Sequence, residues 1–318
     1  MKFGQHAPME LARWVADAVG ATSAVRVERI QSLWSGYGEL VRFRLEGAPL
    51  ETVVVKDVRP PSDASHPRGW NGDRSHARKL RSYDVEGNWY ATYAERCTDC
   101  RVPRCFAQQH LRFALEDLDA AGFEGRGLRD GRIQGCLDWL ARFHATFLGV
   151  EPEGLWPVGT YWHLETRPDE FDAMDAGPLK DAAAALDASL RCCRHSTLVH
   201  GDAKIANFLF SPSEVAAVDF QYVGGGSGIR DVAYFLGSVL GERELEHHAA
   251  DWLDRYFETF AAAATRRGHD ASPIEDEWRA LYPIAWADFE RFLAGWAPSH
   301  RKRHGYSAQM TTLALAQL

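Results

Sequence analysis

The feature that most restricts the fold of this 318-residue chain is a change of hydrophobic period part-way along it. Before Asp119 the apolar residues fall in short β-type runs: VRVERIQSL, then LVRFRL after the turn SGYGE, then ETVVVKDV after EGAPL. Their alternation and β-branched content predict an antiparallel meander. MELARWVADAVG, with Leu11, Trp14, Val15 and Val19 on one face, predicts a helix ahead of it. A surface loop is expected over Arg59–Ser75, a long helix over His76–Arg96 despite Gly87, and two further strands in CRVPRCFAQQ and RFALEDLD. Beyond that point LRDGRIQGCLDWLARFHATFLG, DAAAALDASLRCC, HHAADWLDRYFETFAAAAT and IEDEWRALYPIAWADFERFLAGW all carry helical spacing. Only TLVHG and EVAAVDF interrupt them as strands. The expectation is an α+β chain of two lobes, β-rich over 1–118 and mainly helical over 119–318, with a cleft between them. The length agrees, since it exceeds what one compact domain usually needs.

Net charge is −8, which argues against a sequence-independent grip on nucleic acid. MKFGQHAPMELARW has no apolar signal core, and no run approaches the roughly 18 apolar residues of a membrane span. A soluble, cytoplasmic protein with no membrane or nucleic-acid partner is expected. Its six cysteines should then be reduced. Cys97, Cys100 and Cys105 form a CxxC and a third thiol, and zinc would need a fourth ligand such as His110 or the Cys192–Cys193 pair. No second CxxC completes that pattern, so buried free thiols are the alternative.

The chemistry concentrates in LVHGDAKIANFLF, Leu198 to Phe210, where four polar side chains interrupt an apolar run. Asp202, Lys204 and Asn207 stand at offsets zero, two and five, and Asp219 closes EVAAVDF. Two strand ends side by side would bring Asp202, Asn207 and Asp219 to one spot. Phosphoryl transfer from ATP needs such a spot. One carboxylate deprotonates the accepting hydroxyl, while a second carboxylate and an amide oxygen hold Mg2+, a hard cation that prefers oxygen. A lysine beside the base neutralises charge on the moving phosphoryl group. D-x-K-x-x-N followed by an acid after a strand is the spacing that protein kinases use.

HGDAKIANFLF and AAVDFQYVGGGSGIRDVAYFL resemble the aminoglycoside phosphotransferase and choline kinase superfamily, and within it the ecdysteroid-kinase-like branch with its HGD…N and DFQ signatures. The resemblance extends over nearly the whole chain and implies a two-lobed protein-kinase-like fold. It makes Asp202 the base, assisted by Lys204, with Asn207 and Asp219 as metal ligands. Lys56 in VVVKDV stands where the family's nucleotide-anchoring lysine belongs, and a lysine after three valines is half-buried and requires a partner. Glu86 on the next helix matches best, with Glu95 and Asp84 as rivals. Gly36 and Gly38 in SGYGE would lie above the phosphates, although a plain β-turn explains them equally well. Leu115, Glu116, Asp117 and Leu118 resemble the connector whose backbone meets adenine, with Glu116 and Leu118 as nucleotide-binding candidates. An ordinary strand exit is the alternative for all four.

His200 is expected to pack and hydrogen-bond without transferring a proton. Asp231 is expected to cap a helix N-terminus, and the resemblance adds a brace to the catalytic loop. Gln221, in place of the glycine of DFG, hints at a permanently assembled metal site. The glycines of GGGSG have no βαβ unit around them, which excludes a dinucleotide-binding reading.

No activation segment with an APE-like close follows DFQ, which favours a small-molecule hydroxyl over a protein as acceptor. YWHLETRPDEF, with Glu165 and Arg167, either lines the acceptor site or is a packed loop. Trp252, Trp278, Trp286 and Trp296 could cage a quaternary ammonium, but a core stripe at helical spacing is the simpler account. Glu275, Asp276 and Glu277 could attract a polycation, but they read more simply as helix-opening acids. The ecdysteroid-kinase-like likeness implies a bulky alcohol instead. The expected function is therefore an ATP- and Mg2+-dependent small-molecule phosphotransferase. A non-catalytic nucleotide-binding regulatory module and a kinase-fold adenylyl transferase are the alternatives. A serine hydrolase is discounted because the chain has no GxSxG elbow.

Overall fold

The computed structural model describes residues 6–60, 72–129 and 131–318. The chain divides into two compact units. The first comprises residues 1–95 and 102–125, and the second residues 96–101 and 126–318.

The first unit is built on a five-stranded antiparallel sheet of order β1-β2-β3-β5-β4. Its strands are β1 (Ser23–Ser32), β2 (Gly38–Glu46), β3 (Thr52–Val58), β4 (Cys105–Gln109) and β5 (Arg112–Glu116). Helix α1 (His6–Val19) sets Leu11 and Val15 against Val41, Phe43, Leu45, Val53, Val55 and Ala114. Period-two alternation then turns Val54, Lys56 and Val58 of β3 to the opposite face. That face meets α2 (Gly72–Asn88), from which Tyr83, Val85 and Glu86 are buried.

The sequence expectation is met for the meander and corrected in its details. The helix expected over His76–Arg96 begins at Gly72 and ends at Asn88, passing into a π-turn over Trp89–Tyr93 and a 3-10 turn over Ala94–Arg96. CRVPRCFAQQ becomes a strand only from Cys105, because Pro103 cannot donate to a ladder. Of the loop expected over Arg59–Ser75, residues 61–71 lie outside the described residues and 72–75 are helical.

The second unit is mainly helical, with α3 (Arg132–Thr146), α4 (Pro168–Asp172), α5 (Pro178–Asp181), α6 (Ala183–Arg191), α7 (Ile229–Val239), α8 (Glu242–Arg266), α9 (Ser272–Trp296) and α10 (Gly305–Leu315). Segment 96–101 belongs to this unit because Arg101 O accepts hydrogen bonds from Trp139 Nε1 and Ala217 N. Among its described helices none is long and apolar enough to cross a membrane.

Four three-residue strands carry the HGD region: β6 (Thr197–Val199), β7 (Phe208–Phe210), β8 (Val215–Ala217) and β9 (Gly224–Gly226). β6 pairs with β9, and β7 with β8. This overturns the expectation that TLVHG and EVAAVDF lie side by side as one pair. Each instead takes a partner that periodicity could not show, a bare FLF and a run of three glycines. The glycines of GGGSG are therefore a strand, and Gly224 bridges to Trp156.

Candidate active site

Within the first unit the buried pair is Lys56 and Glu86. Lys56 Nζ donates to Glu86 Oε1 at 2.8 Å and to Oε2 at 2.6 Å. Of the three acids weighed, Glu86 is the one that meets the lysine here. Both side chains are almost wholly sheltered, at 7% and 1% exposure. Tyr83 lies one helical turn before Glu86, and Lys56 sits 5.6 Å from its ring centroid.

Gly36 ends a 3-10 turn over Trp34–Gly36, and Gly38 opens β2 two residues later. At Gly38, φ is +125°, and a Cβ would lie 2.1 Å from Asp57 O. This glycine is required by the close approach of β2 to β3, whatever else the turn does. Glu116 takes the backbone N–H of Arg104 on its carboxylate at 3.0 Å. Leu118 is buried, and its carbonyl accepts from Phe123 N. Asp117, between them, is held by Arg42. Burial works to raise the Asp117 pKa, but the hydrogen bonds and charge of Arg42 leave it below the usual carboxylate range.

The second unit assembles the HGD loop around two anchors. Asp231 accepts the N–H groups of His200, at 2.5 Å, and Gly201, at 2.9 Å. It lies inside the first turn of α7, whose N-cap is Gly228, and so the expected capping role is corrected: its carboxylate braces the preceding loop instead. Gly201 has φ of +79°, and a Cβ would stand 2.1 Å from Tyr222 O, so no larger residue fits. The second anchor is His200, whose Nε2 meets Val218 O at 3.1 Å while Nδ1 accepts the Asp202 N–H at 3.3 Å. Both ring nitrogens are occupied by backbone, which leaves no free position for proton transfer.

Asp202 is buried, and its carboxylate accepts three hydrogen bonds. Tyr234 OH donates to Oδ1 at 3.0 Å, and Lys204 Nζ and Asn207 Nδ2 donate to Oδ2 at 2.7 and 3.1 Å. Oδ1 therefore keeps one lone pair for an incoming hydroxyl. Burial pushes the Asp202 pKa up, Lys204 opposes the rise, and the charge of Asp219 adds to it. Burial disfavours the charged form of Lys204, but Asp202 and Asp219 together hold its pKa above the ordinary lysine value.

Asp219 takes a left-handed backbone, φ +72°, two residues beyond β8. Gln221 Nε2 donates to its Oδ1, so the glutamine of DFQ pins the acid. Val218 N donates to Asn207 O at 3.0 Å, which ties the segment carrying Asp219 to the turn carrying Asn207. Two carboxylates near enough to raise proton affinity, plus an amide whose nitrogen is already spent on Asp202, form an all-oxygen donor set that suits Mg2+. No group of three or more His, Cys, Asp or Glu side chains poised for a metal exists among the described residues. Cys97 and Cys100 belong to the second unit and Cys105 to the first. Burial and the neighbouring Cys100 push the Cys97 thiol far up.

Other sequence candidates have partners of their own. Arg167 donates to Tyr161 O and Glu170 Oε1 and lies over the rings of Tyr161 and Phe292, while Glu165 is exposed. Trp278 donates to His195 O, and Trp286 packs on Tyr306. Glu277 accepts two backbone N–H groups, from Arg194 and His195.

Two residues that sequence reasoning missed complete the surroundings of Asp202. Tyr234 stands one turn after Asp231, a spacing that puts brace and hydroxyl on one face of α7. Lys302, in the basic run HRKRH, places its ammonium 4.6 Å from the Tyr234 ring centroid and 5.3 Å from that of Phe289. Burial, helped by the charge of Arg301, lowers its pKa to about 8. A run of five basic residues in an acidic chain was the available signal.

A model of the ecdysteroid kinase-like family matches residues 167–268, the stretch that holds Asp202, Asn207, Asp219 and Asp231. The chain carries an ecdysteroid-kinase-like segment. Solved structures extend the likeness to nearly all of it. A fructosamine-3-kinase candidate from Thermobifida fusca YX-ER1 is 16% identical, with a TM-score of 0.58 over 96% of this chain and 98% of that one. An aminoglycoside phosphotransferase candidate from Ralstonia eutropha JMP134 is 16% identical, with a TM-score of 0.52 over 97% and 94%. A choline kinase from Cryptosporidium parvum Iowa II is 9% identical, with a TM-score of 0.53 over 92% and 90%. No curated protein matches the sequence at a significant level. The fold is thus the kinase-like α+β fold that these neighbours share, with a sheet-based first unit and a helical second one.

Proposed function

We propose that this protein is an ATP- and Mg2+-dependent phosphotransferase acting on a hydroxyl group of a small molecule. The observation that carries the reading is the setting of Asp202: a buried carboxylate oriented by Tyr234, neutralised by Lys204, and lying within the field of a second carboxylate, Asp219. A carboxyl whose proton affinity is raised accepts a proton more readily than a surface aspartate does. The acceptor hydroxyl gives its proton to the open lone pair of Oδ1 as its oxygen takes the phosphoryl group. Lys204 stays paired to Oδ2 and offsets negative charge at that moment.

Asn207 and Asp219 are the residues that would hold Mg2+, which when bound shields phosphate charge. Gln221 keeps Asp219 in place for it. Lys56, fixed by Glu86, supplies the ammonium that the kinase likeness assigns to nucleotide phosphates. Among the neighbours, names referring to fructosamine, an aminoglycoside and choline support a small-molecule acceptor class. The test is ATP consumption by purified protein against an alcohol library with Mg2+ present, followed by product mass. A gain of about 80 Da supports the proposal, and a gain of about 329 Da assigns adenylyl transfer instead.

A further inference from the structure

We propose that Lys302 recognises a negatively charged group on the acceptor, so that the preferred substrate is an anionic hydroxy compound rather than an amine or a quaternary ammonium. The inference deepens the function proposed above and rests on Asp202 as its base.

One tyrosine connects the two residues. Tyr234 gives its hydroxyl to Asp202 Oδ1, and its ring carries the Lys302 ammonium. Tyr161, whose ring meets that of Tyr234 edge-on at 5.7 Å between centroids, and Phe289 extend the aromatic surface. The neighbours of Lys302 are engaged in holding its segment. Arg303 binds Glu290 Oε1 at 2.7 Å, His304 caps α10 through Ser307, and His300 Nδ1 accepts the Lys302 backbone N–H at 3.2 Å. The Lys302 ammonium makes no hydrogen bond and no salt bridge among the described residues; aromatic faces lie beneath it, the Asp202 charge attracts it from further off, and the Arg301 and Lys204 charges oppose it.

A largely sheltered cation with no anion in direct contact is costly, and cation–π contact offsets only part of that cost. An arriving carboxylate, sulfate or phosphate monoester would satisfy it. The same ammonium occupies the aromatic face on which a quaternary ammonium would sit, so like charges repel there.

Three para-substituted benzyl alcohols of matched shape test this, bearing a carboxylate, a methyl ester or an aminomethyl group. Binding is measured by calorimetry and ATP consumption is measured separately. The carboxylate is expected to bind about 10- to 100-fold more tightly than the ester, with the amine weakest. Lys302→Met should remove that preference and Lys302→Arg should keep it, with melting curves confirming folded variants. If Lys302→Met does not fold, the wild-type charge series and Lys302→Arg decide. The inference is overturned if ester or amine binds as well as the carboxylate. It is also overturned if the carboxylate shows no binding at millimolar concentration, or if Lys302→Met weakens ATP rather than the acceptor. A carboxylate preference in binding that Lys302→Met removes supports the anion site whether or not these three alcohols consume ATP, while the kinase reading stands or falls with the alcohol library.

Discussion

Lys56 and Lys204 each meet a carboxylate at under 3 Å, yet the two pairs are built for different purposes. Lys56 and Glu86 are joined through both carboxylate oxygens, in the interior of the first unit. Lys204 touches one oxygen of Asp202 and keeps 40% of its side chain exposed, and its acid partner also feels Asp219. The first arrangement fixes a charge in space. The second holds a carboxylate at a raised proton affinity beside a cation that is partly open to solvent. Burial alone does not separate a structural ion pair from a catalytic one. What marks the second pair is that its acid feels two charges of opposite sign, Lys204 and Asp219.

The sharpest way to break this contrast is Asp202→Ala, which should lower turnover by about 10²- to 10⁴-fold while ATP binding, measured by calorimetry, survives. Full activity in that variant would remove the assignment of the base. Next in size, Glu86→Ala should destabilise the fold by about 3–5 kcal/mol in denaturant titrations, because it strands a buried ammonium. Replacing both partners, Lys56→Met with Glu86→Leu, should recover most of that loss and leave the protein folded but inactive. Lys204→Met belongs at the small end, at about 1 kcal/mol or less in stability, since an exposed ammonium loses little.

The same substitution tests the poised carboxylate through pH. Asp202 carries a raised pKa, so activity should fall on the acid side at a pH above the ordinary aspartate range. Because Lys204 lowers that pKa, Lys204→Met should move the acid limb of kcat/KM further up. Linkage has the matching sign: a carboxyl whose pKa rises on folding favours the folded state at acid pH, and that contribution fades as pH climbs through the folded pKa. An acid limb that stays put in Lys204→Met would show that another group controls it.

Long periodic stretches made the first unit legible. β2 alternates along its nine residues, and in β3 a lysine after three valines pointed to a buried partner. Glu86 could only be ranked among neighbouring acids, because helix phase relative to the sheet is set by packing. In the second unit D-x-K-x-x-N pointed to the proposed chemistry, but β7 and β9 span three residues each, too short for any period to register. For Asp231 the brace implied by the resemblance is present and the N-cap is not, because a carboxylate near a helix start serves either its own helix or a neighbouring loop. Lys302 lies about a hundred residues beyond Asp202, brought near it by the fold and not by any motif.

The assignment of residues 96–101 to the second unit has a practical consequence for anyone wishing to express the units separately. A polypeptide ending at Gly125 would take with it the strip whose Arg101 carbonyl receives Trp139 and Ala217, leaving two donors of the catalytic half without their acceptor. A workable first-unit fragment would replace that strip with a short linker joining Glu95 to Val102, and the complementary fragment would have to be supplied with the six-residue peptide.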